Sequence, residues 1–184
     1  MTATGKMPAG GGRIMGIDPG LNTTGYAVLE CQAGRLKLVE AGVIRGRSKG
    51  SLELRLREVY EGVCDVIATF KPAAMAIEEL YSHYDRPRTA IIMGHARGVI
   101  CLAAALNAVP LQSYAATQVK SILTGNGRAP KSQVQRAICQ QFGLAAPPEP
   151  PDVADAMAIA LCHYFLSRET ATVSGGPTSQ RLRT

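Results

Sequence analysis

The first third of the chain holds three short apolar runs joined by brief polar connections. They are residues 13–18 (RIMGID), 25–31 (GYAVLEC) and 35–44 (RLKLVEAGVI). Runs of this length, bounded by Pro, Gly and polar residues, are typical of β-strands. Because consecutive strands with short connections pair antiparallel, the pattern predicts a three-stranded meander.

The remainder of the chain alternates between helical periodicity and short apolar strands. Helical patterns cover residues 51–70, 88–107, 114–123, 131–142 and 152–168, and strands are expected at 73–78 and 109–113. Pro72, Gly125, Pro130 and Gly143 stand where these helices begin or end. A meander followed by alternating helices and strands predicts an α/β domain with a mixed central sheet, antiparallel at one edge and parallel beyond it, flanked by helices.

The chain of 184 residues fits one domain, and with 46% hydrophobic residues it can bury a core. Residues 1–12 are Gly-rich without an apolar run, which indicates a flexible leader and no signal peptide. Residues 169–184 are rich in Ser, Thr, Gly and Arg, which indicates a disordered tail. The folded domain is therefore expected at residues 13–168.

Cysteine usage and hydropathy bear on location. The five cysteines are scattered and form no CxxC pair, so we expect reduced thiols in a cytoplasmic protein, with neither a disulfide framework nor a zinc site. No segment is expected to be long and apolar enough to span a membrane.

The distribution of charge is more informative than the net charge of +6. No acidic residue occurs between Arg86 and Pro148, whereas basic residues recur through this stretch: Arg86, Arg88, Arg97, Lys120, Arg128, Lys131 and Arg136. A solvated charged face normally mixes signs. A wholly basic third of a domain indicates binding to nucleic acid.

Two acidic residues stand at the ends of apolar strands. Asp18 ends the first strand just before Pro-Gly, where it could serve a site or simply cap the turn. Glu78 and Glu79 both follow the buried-looking run at 73–77, and a buried carboxylate there needs a partner or a metal. Glu79 alternates to the opposite face, which favours Glu78, but spacing alone leaves both open.

Asp152 and Asp155 are three residues apart, so they share one face of the last helix. Favourable interaction with the helix dipole explains an acid at Asp152, in the first turn of the helix. It explains Asp155 poorly, because Asp155 lies deeper in the helix and is followed by the apolar run Ala-Met-Ala-Ile-Ala-Leu. Together with the two strand-end acids, they form a donor set that suits Mg²⁺ or Mn²⁺. Two such ions can promote phosphodiester hydrolysis.

Six short motifs, in this order and spacing, closely resemble the RuvC family of Holliday-junction resolvases over about residues 13–165. They are Gly-Ile-Asp-Pro-Gly at 16–20, Thr-Gly-Tyr at 24–26, Ile-Glu-Glu at 77–79, Ala-Arg-Gly-Val at 96–99, Lys-Ser at 131–132 and Asp-Val-Ala-Asp-Ala at 152–156. The resemblance implies an RNase H-like fold and a homodimer that nicks two strands of like polarity in a four-way DNA junction during homologous recombination and repair. It also implies the branch-migration proteins RuvA and RuvB as partners.

By motif position, the resemblance places the four catalytic, metal-binding acids at Asp18, Glu78, Asp152 and Asp155, with Mg²⁺ or Mn²⁺ and two ions per site. This decides between Glu78 and Glu79.

The resemblance also assigns DNA contacts. It places a stacking aromatic at Tyr81 and DNA-contacting lysines at Lys120 and Lys131. Lys131 opens a helix, where a cation is unfavourable, so an external anion is expected beside it. Arg86 and Arg88 are expected to contact phosphates from the loop at 82–88.

Three other interpretations compete. An RNase H-like nuclease acting on structured RNA would share the fold and the acids. The Asp-x-Gly turn resembles that of actin-like and sugar-kinase phosphotransferases, which need two such domains and therefore a longer chain. A binding module without catalysis predicts that one of the four acids is missing, and all four are present.

Overall fold

The computed structural model describes residues 11–32, 34–46, 50–80 and 87–173. Within them, helices and strands follow the predicted order, with boundaries shifted by at most a few residues at all but one end. The elements are β1 (Gly12–Asp18), β2 (Thr23–Gln32), β3 (Arg35–Arg45), α1 (Leu52–Phe70), β4 (Ala74–Glu78), α2 (Pro87–Leu106), β5 (Leu111–Tyr114), α3 (Ala116–Thr124), α4 (Lys131–Phe142) and α5 (Pro151–Val173).

The five strands form one sheet in the order β3-β2-β1-β4-β5. β1, β2 and β3 pair antiparallel, whereas β4 pairs parallel to both β1 and β5. The predicted mixed sheet is therefore confirmed. Ile17 of β1 lies opposite Ile77 of β4, so the residues that follow, Asp18 and Glu78, emerge side by side at one edge of the sheet.

Helices cover both faces of the sheet. Because alternate strand residues point to opposite faces, they contribute to two separate hydrophobic cores. Ile14 of β1 and Leu29 of β2 pack with the apolar side of α5. Met15 and Ile17 of β1 point the other way and pack with residues of α1 and α2. The sheet thus holds α5 and α2 in fixed positions on its opposite faces.

Two glycines let α5 approach the sheet closely. A Cβ atom added at Gly16 would lie 2.2 Å from the carbonyl oxygen of Ala156, and one at Gly25 would lie 2.0 Å from that of Asp152. Both distances are far below van der Waals contact. The first turn of α5 therefore rests on β2 at the residue that pairs with Asp18.

The last helix is longer than predicted. It was expected to end at Arg168, but α5 continues to Val173 and so includes the first residues of the segment predicted as a tail. The rest of that segment, and the predicted leader up to residue 10, lie outside the described residues.

Helix α2 contradicts the expectation that no segment could span a membrane. By length and composition, its residues 88–106 qualify, with a mean hydropathy of 1.6. A core helix of a folded domain can have the same length and composition. In this domain, Ala96, Ile100 and Ala103 of α2 are fully buried. Only 22% of the segment is buried, however, so α2 also presents an apolar face outward.

Candidate active site

Asp18 and Glu78 lie side by side at the carboxyl ends of β1 and β4, and both border a cavity of about 540 Å³. The turn after Asp18 is held by the buried Thr24, whose hydroxyl donates to the carbonyl oxygen of Gly20 at 2.6 Å. Glu78 is partly buried. Glu79 also borders the cavity, but it is exposed.

The first turns of α5 bring the other two acids to the same edge. Asp152 lies over Gly25, the residue opposite Asp18 in the β1–β2 pair. Asp155 borders a second cavity of about 240 Å³, which it shares with Glu78. Glu78 therefore lies between the two cavities, with Asp18 on one side and Asp155 on the other.

The pKa values show that the four carboxylates interact electrostatically. Burial, followed by repulsion from Asp155, Glu78 and Asp152, raises the pKa of Asp18 to about 7. Burial and the charge of Asp155 also raise the pKa of Glu78. Like charges held close together disfavour ionisation. The acids predicted to form one cluster are thus brought into range of one another's charges.

Lys131 forms an ion pair inside this cluster. Its Nζ lies 2.6 Å from Oδ2 of Asp155, and its charge lowers the pKa of both Asp18 and Glu78. The sequence predicted an external anion for this lysine, but the structure provides an internal one. The pair joins residues 24 positions apart, which local patterns cannot reveal.

The cluster suits a divalent cation by charge but is not a preformed cage. Among the described residues, no three His, Cys, Asp or Glu side chains are arranged to hold one ion together. Burial and the neighbouring carboxylates nevertheless raise the Asp18 pKa, and a bound cation would oppose both effects by favouring the ionised form. Carboxylate oxygens are the ligands that Mg²⁺ and Mn²⁺ prefer, so the residues present fit such an ion.

The predicted DNA-contact residues fall into three groups. Lys120 and Lys131 border the cavity beside Glu78 and Asp155. Arg88 is exposed near the start of α2 and borders a different cavity, away from the acids. Tyr81 and Arg86 lie outside the described residues.

Sequence reasoning missed the role of Arg97. This arginine of α2 donates from Nε to the main-chain oxygen of Glu78 at 3.3 Å, and from Nη2 to Oγ of Ser113 at 2.7 Å. The only signal in the sequence was its place in the Ala-Arg-Gly-Val motif, where it was counted simply as one basic residue among seven.

His163 lies on α5 away from the acids and is fully buried. Its Nδ1 shares a 2.8 Å hydrogen bond with the hydroxyl of Tyr114. Burial lowers the His163 pKa to about 4, so the ring is neutral at physiological pH. These contacts are those of a structural residue.

The sequence matches a known protein family over most of the domain. The family model described as crossover junction endodeoxyribonuclease RuvC matches residues 14–163. The chain belongs to the RuvC family. The crossover junction endodeoxyribonuclease RuvC of Rhodopirellula baltica is 58% identical over 160 residues, which cover 87% of this chain and 90% of that protein. The crossover junction endodeoxyribonuclease RuvC of Desulforamulus reducens is 42% identical over a region that covers 82% of this chain and 91% of that protein.

Solved structures agree with the family assignment. Thermus thermophilus RuvC in complex with a Holliday junction substrate superposes with a TM-score of 0.80 at 32% identity, covering 86% of this chain and 96% of that one. The yeast mitochondrial Holliday junction resolvase Ydc2 reaches a TM-score of 0.62 at 12% identity and supports the fold alone. The fold is therefore RNase H-like, as predicted.

Membership of the RuvC family identifies the chain as a crossover junction endodeoxyribonuclease, a hydrolase of DNA phosphodiester bonds. Divalent-metal dependence follows from the same membership. The phosphotransferase and binding-module interpretations are thereby set aside.

Proposed function

We propose that the chain resolves four-way DNA junctions by two symmetric nicks, with Asp18, Glu78, Asp152 and Asp155 as its metal-binding catalytic residues. The observation that carries this proposal is the electrostatic coupling of four carboxylates at one edge of the sheet in a RuvC-family fold. The bound Holliday junction substrate of the Thermus relative supports the choice of substrate.

Bound Mg²⁺ or Mn²⁺ supplies Lewis acidity at the scissile phosphate and lowers the pKa of the attacking water. Charge supports two ions per site, because four ionised carboxylates carry the charge that two divalent cations neutralise. Asp18 and Glu78 provide ligands from the sheet, and Asp152 and Asp155 provide them from α5.

Opening of the ion pair with Lys131, which occupies only Oδ2, would make both carboxylate oxygens of Asp155 available to a cation. Because about half of the Lys131 side chain is exposed, the ion pair contributes little stability and can open at low cost. The released ammonium group of Lys131 then lies beside the site where the scissile phosphate binds. Lys131 therefore first compensates the charge of the carboxylates and then contacts the DNA.

We place the DNA along the basic residues. Lys120 and Lys131 flank the acids and are assigned to phosphates near the cut. Arg88 and Arg86 are assigned to phosphates farther along an arm, and Tyr81 to stacking at the junction centre. Neutralising phosphates in this way makes binding depend strongly on salt.

Paired nicks require two active sites, and the outward face of α2 is suited to bring two copies together. Ile91, Leu102 and Leu106 on this helix are 51–66% exposed. Gly98 lies between Ile91 and Leu102, and open space surrounds the position of its missing Cβ. An exposed apolar stripe of this kind marks an interaction surface. We assign it to a homodimer.

The family also supports a cellular setting. RuvA and RuvB, which move the branch point, are the expected partners, and the cytoplasm is the expected location. The five cysteines, all unpaired, agree with a reducing compartment.

Cleavage of a synthetic four-way junction tests the proposal directly. Purified protein is incubated with the junction, with linear duplex and with an RNA hairpin, each with Mg²⁺ or Mn²⁺. Symmetric nicking of the junction alone is the expected result. Absence of cleavage with either metal would contradict the proposal, and preferential cutting of the hairpin would favour the RNA alternative.

The variant Asp155→Asn separates catalysis from binding. We expect it to abolish cleavage because it removes a charged ligand, while junction affinity measured by gel shift in EDTA stays within about twofold because the basic surface is intact. Loss of binding with cleavage retained would contradict the roles assigned here.

A further inference from the structure

Arg97 connects α2 to the catalytic edge of the sheet. It lies in the middle of α2, next to the exposed Gly98, and its side chain is partly buried. Its guanidinium group spans the carboxyl ends of β4 and β5, through the main-chain oxygen of Glu78 and the hydroxyl of Ser113. One side chain thus ties together three elements that meet at the active site.

The contact with Glu78 is made to its main chain. The cations that lower the pKa of the Glu78 carboxyl group are Lys120 and Lys131, which border the same cavity as Glu78 and Asp155. The Arg97 contact therefore holds the main chain of Glu78 and does not occupy its carboxylate. The next residue is held as well, because the main-chain N–H of Glu79 donates to the Tyr114 carbonyl at 2.9 Å.

The geometry points to Arg97 as a positioning residue that fixes Glu78 for metal binding and transmits the position of α2 to the active site. This inference rests on the proposed role of Glu78 as a metal ligand. Outer-shell hydrogen bonds that orient a ligand typically change metal affinity or activity by about 10–100-fold when they are lost. A displacement of α2 would reach Glu78 through its hydrogen bond with Arg97, and the second hydrogen bond, to Ser113, holds the guanidinium group in place.

The competing role for a basic residue in this stretch is a phosphate contact. The two roles predict opposite results. Loss of a phosphate contact weakens junction binding and lowers its salt dependence by about one unit of slope, with little effect on cleavage at saturating DNA. Loss of a positioning contact leaves junction binding intact and changes metal affinity and the cleavage rate.

Arg97→Gln is the test variant, with Arg57→Gln as its control. Arg57 lies on the surface of α1 and pairs only with Glu61 among its described contacts, so the control removes the same charge from a residue that does not border the cavities of the acids. Three quantities are measured: Mn²⁺ affinity without DNA by titration calorimetry, the Mn²⁺ concentration for half-maximal cleavage, and junction affinity in EDTA across a salt series.

We expect Arg97→Gln to raise both metal constants about 10-fold or more, while junction affinity and its salt slope stay at the wild-type values. Unchanged metal constants, or weaker junction binding with a reduced salt slope, would overturn the positioning role. If the wild-type protein neither binds Mn²⁺ nor cuts the junction, the proposed function fails instead, so the two failures are distinguishable.

Ser113→Ala provides a second test if Arg97→Gln does not fold. This change deletes one acceptor of Arg97 and nothing charged, and we expect the same metal constants to rise about threefold, again at unchanged junction affinity. Wild-type metal constants in a folded Ser113→Ala variant would count against the inference.

Discussion

Asp18 shows at the scale of one residue what it costs to bury a carboxylate among other acids. Its carboxyl group is largely withdrawn from water and surrounded by three other acids, and these effects raise its pKa to about 7. The charged form needed to bind a cation is therefore disfavoured in the metal-free protein. Strain of this kind is common at active sites, where pKa values depart from those of exposed groups.

Asp18→Asn should stabilise the metal-free protein, and the gain should depend on pH. Because the folded-state pKa is raised, ionisation destabilises the fold as pH increases from about 4 to about 7, and the penalty is absent below that range. We expect the variant to raise the free energy of unfolding by about 1–2 kcal/mol at pH 8. At pH 4 the gain should vanish.

Urea denaturation in EDTA at the two pH values measures this difference. An equal gain at pH 4 and pH 8 would show that the charge of Asp18 is not the cause. Cleavage should be abolished at every pH, since the variant lacks the ligand.

At the scale of elements, the site depends on how closely α5 lies against the meander. Gly16 and Gly25 provide the room: Ala156 and Ala160 of α5 lie against Gly16, and Asp152 lies against Gly25. A helix that carried its acids at an ordinary packing distance from the sheet would hold them away from Asp18. Close approach of backbones explains why glycine is needed at these positions.

Gly25→Ala should move the first turn of α5 outward. The added methyl group would meet the carbonyl oxygen of Asp152 at 2.0 Å, so the helix or the strand must shift by more than 1 Å. A displacement of about that size can lower a catalytic rate by about 100-fold. Overpacking should also cost about 1–3 kcal/mol of stability.

Single-turnover cleavage, gel-shift affinity and thermal melting together test this expectation. The rate should fall while junction affinity in EDTA is retained, because the basic surface lies on other elements. A variant that melts earlier but cleaves at the wild-type rate would contradict the proposed dependence on α5.

At the scale of the whole molecule, the two faces of the sheet carry helices of different character. One face carries α5 and its acids, and the other carries α2, whose outward side is apolar. Arg97 crosses from α2 to the catalytic edge and links the two. In a dimer formed through α2, the Arg97 of each copy would therefore link the interface helix to Glu78 of the same copy.

Leu102→Glu should disrupt that dimer. Leu102 is 51% exposed on α2, and a carboxylate there would face its own copy across the interface. We expect a monomer by sedimentation and, at the junction, single nicks in place of paired ones. Leu54→Glu is the control, because Leu54 is similarly exposed, at 45%, but lies on α1, and this change should leave the association state unchanged. A dimeric Leu102→Glu variant would exclude α2 as the interface.

The sequence by itself determined nearly all of the elements, and its motif resemblance nominated the four acids. Strand and helix periods, with Gly and Pro at the boundaries, are local properties, so nearly every element was predicted to within a few residues. Their places at the ends of apolar strands made Asp18 and Glu78 candidates, but a turn-capping Asp18 and Glu79 stayed open until the motif resemblance favoured Asp18 and Glu78. Two predictions failed: that no segment is long and apolar enough to span a membrane, which α2 contradicts, and that the last helix ends at Arg168, which α5 exceeds.

Only the tertiary structure decided which side chains meet. Three contacts join segments far apart in the chain. They are the ion pair of Lys131 with Asp155, the packing of α5 on Gly25, and the hydrogen bond of Arg97 to the main chain of Glu78. Such contacts depend on the order of strands in the sheet and on the distance between helix and sheet. A one-dimensional pattern encodes neither, because each is set by the packing of the whole core.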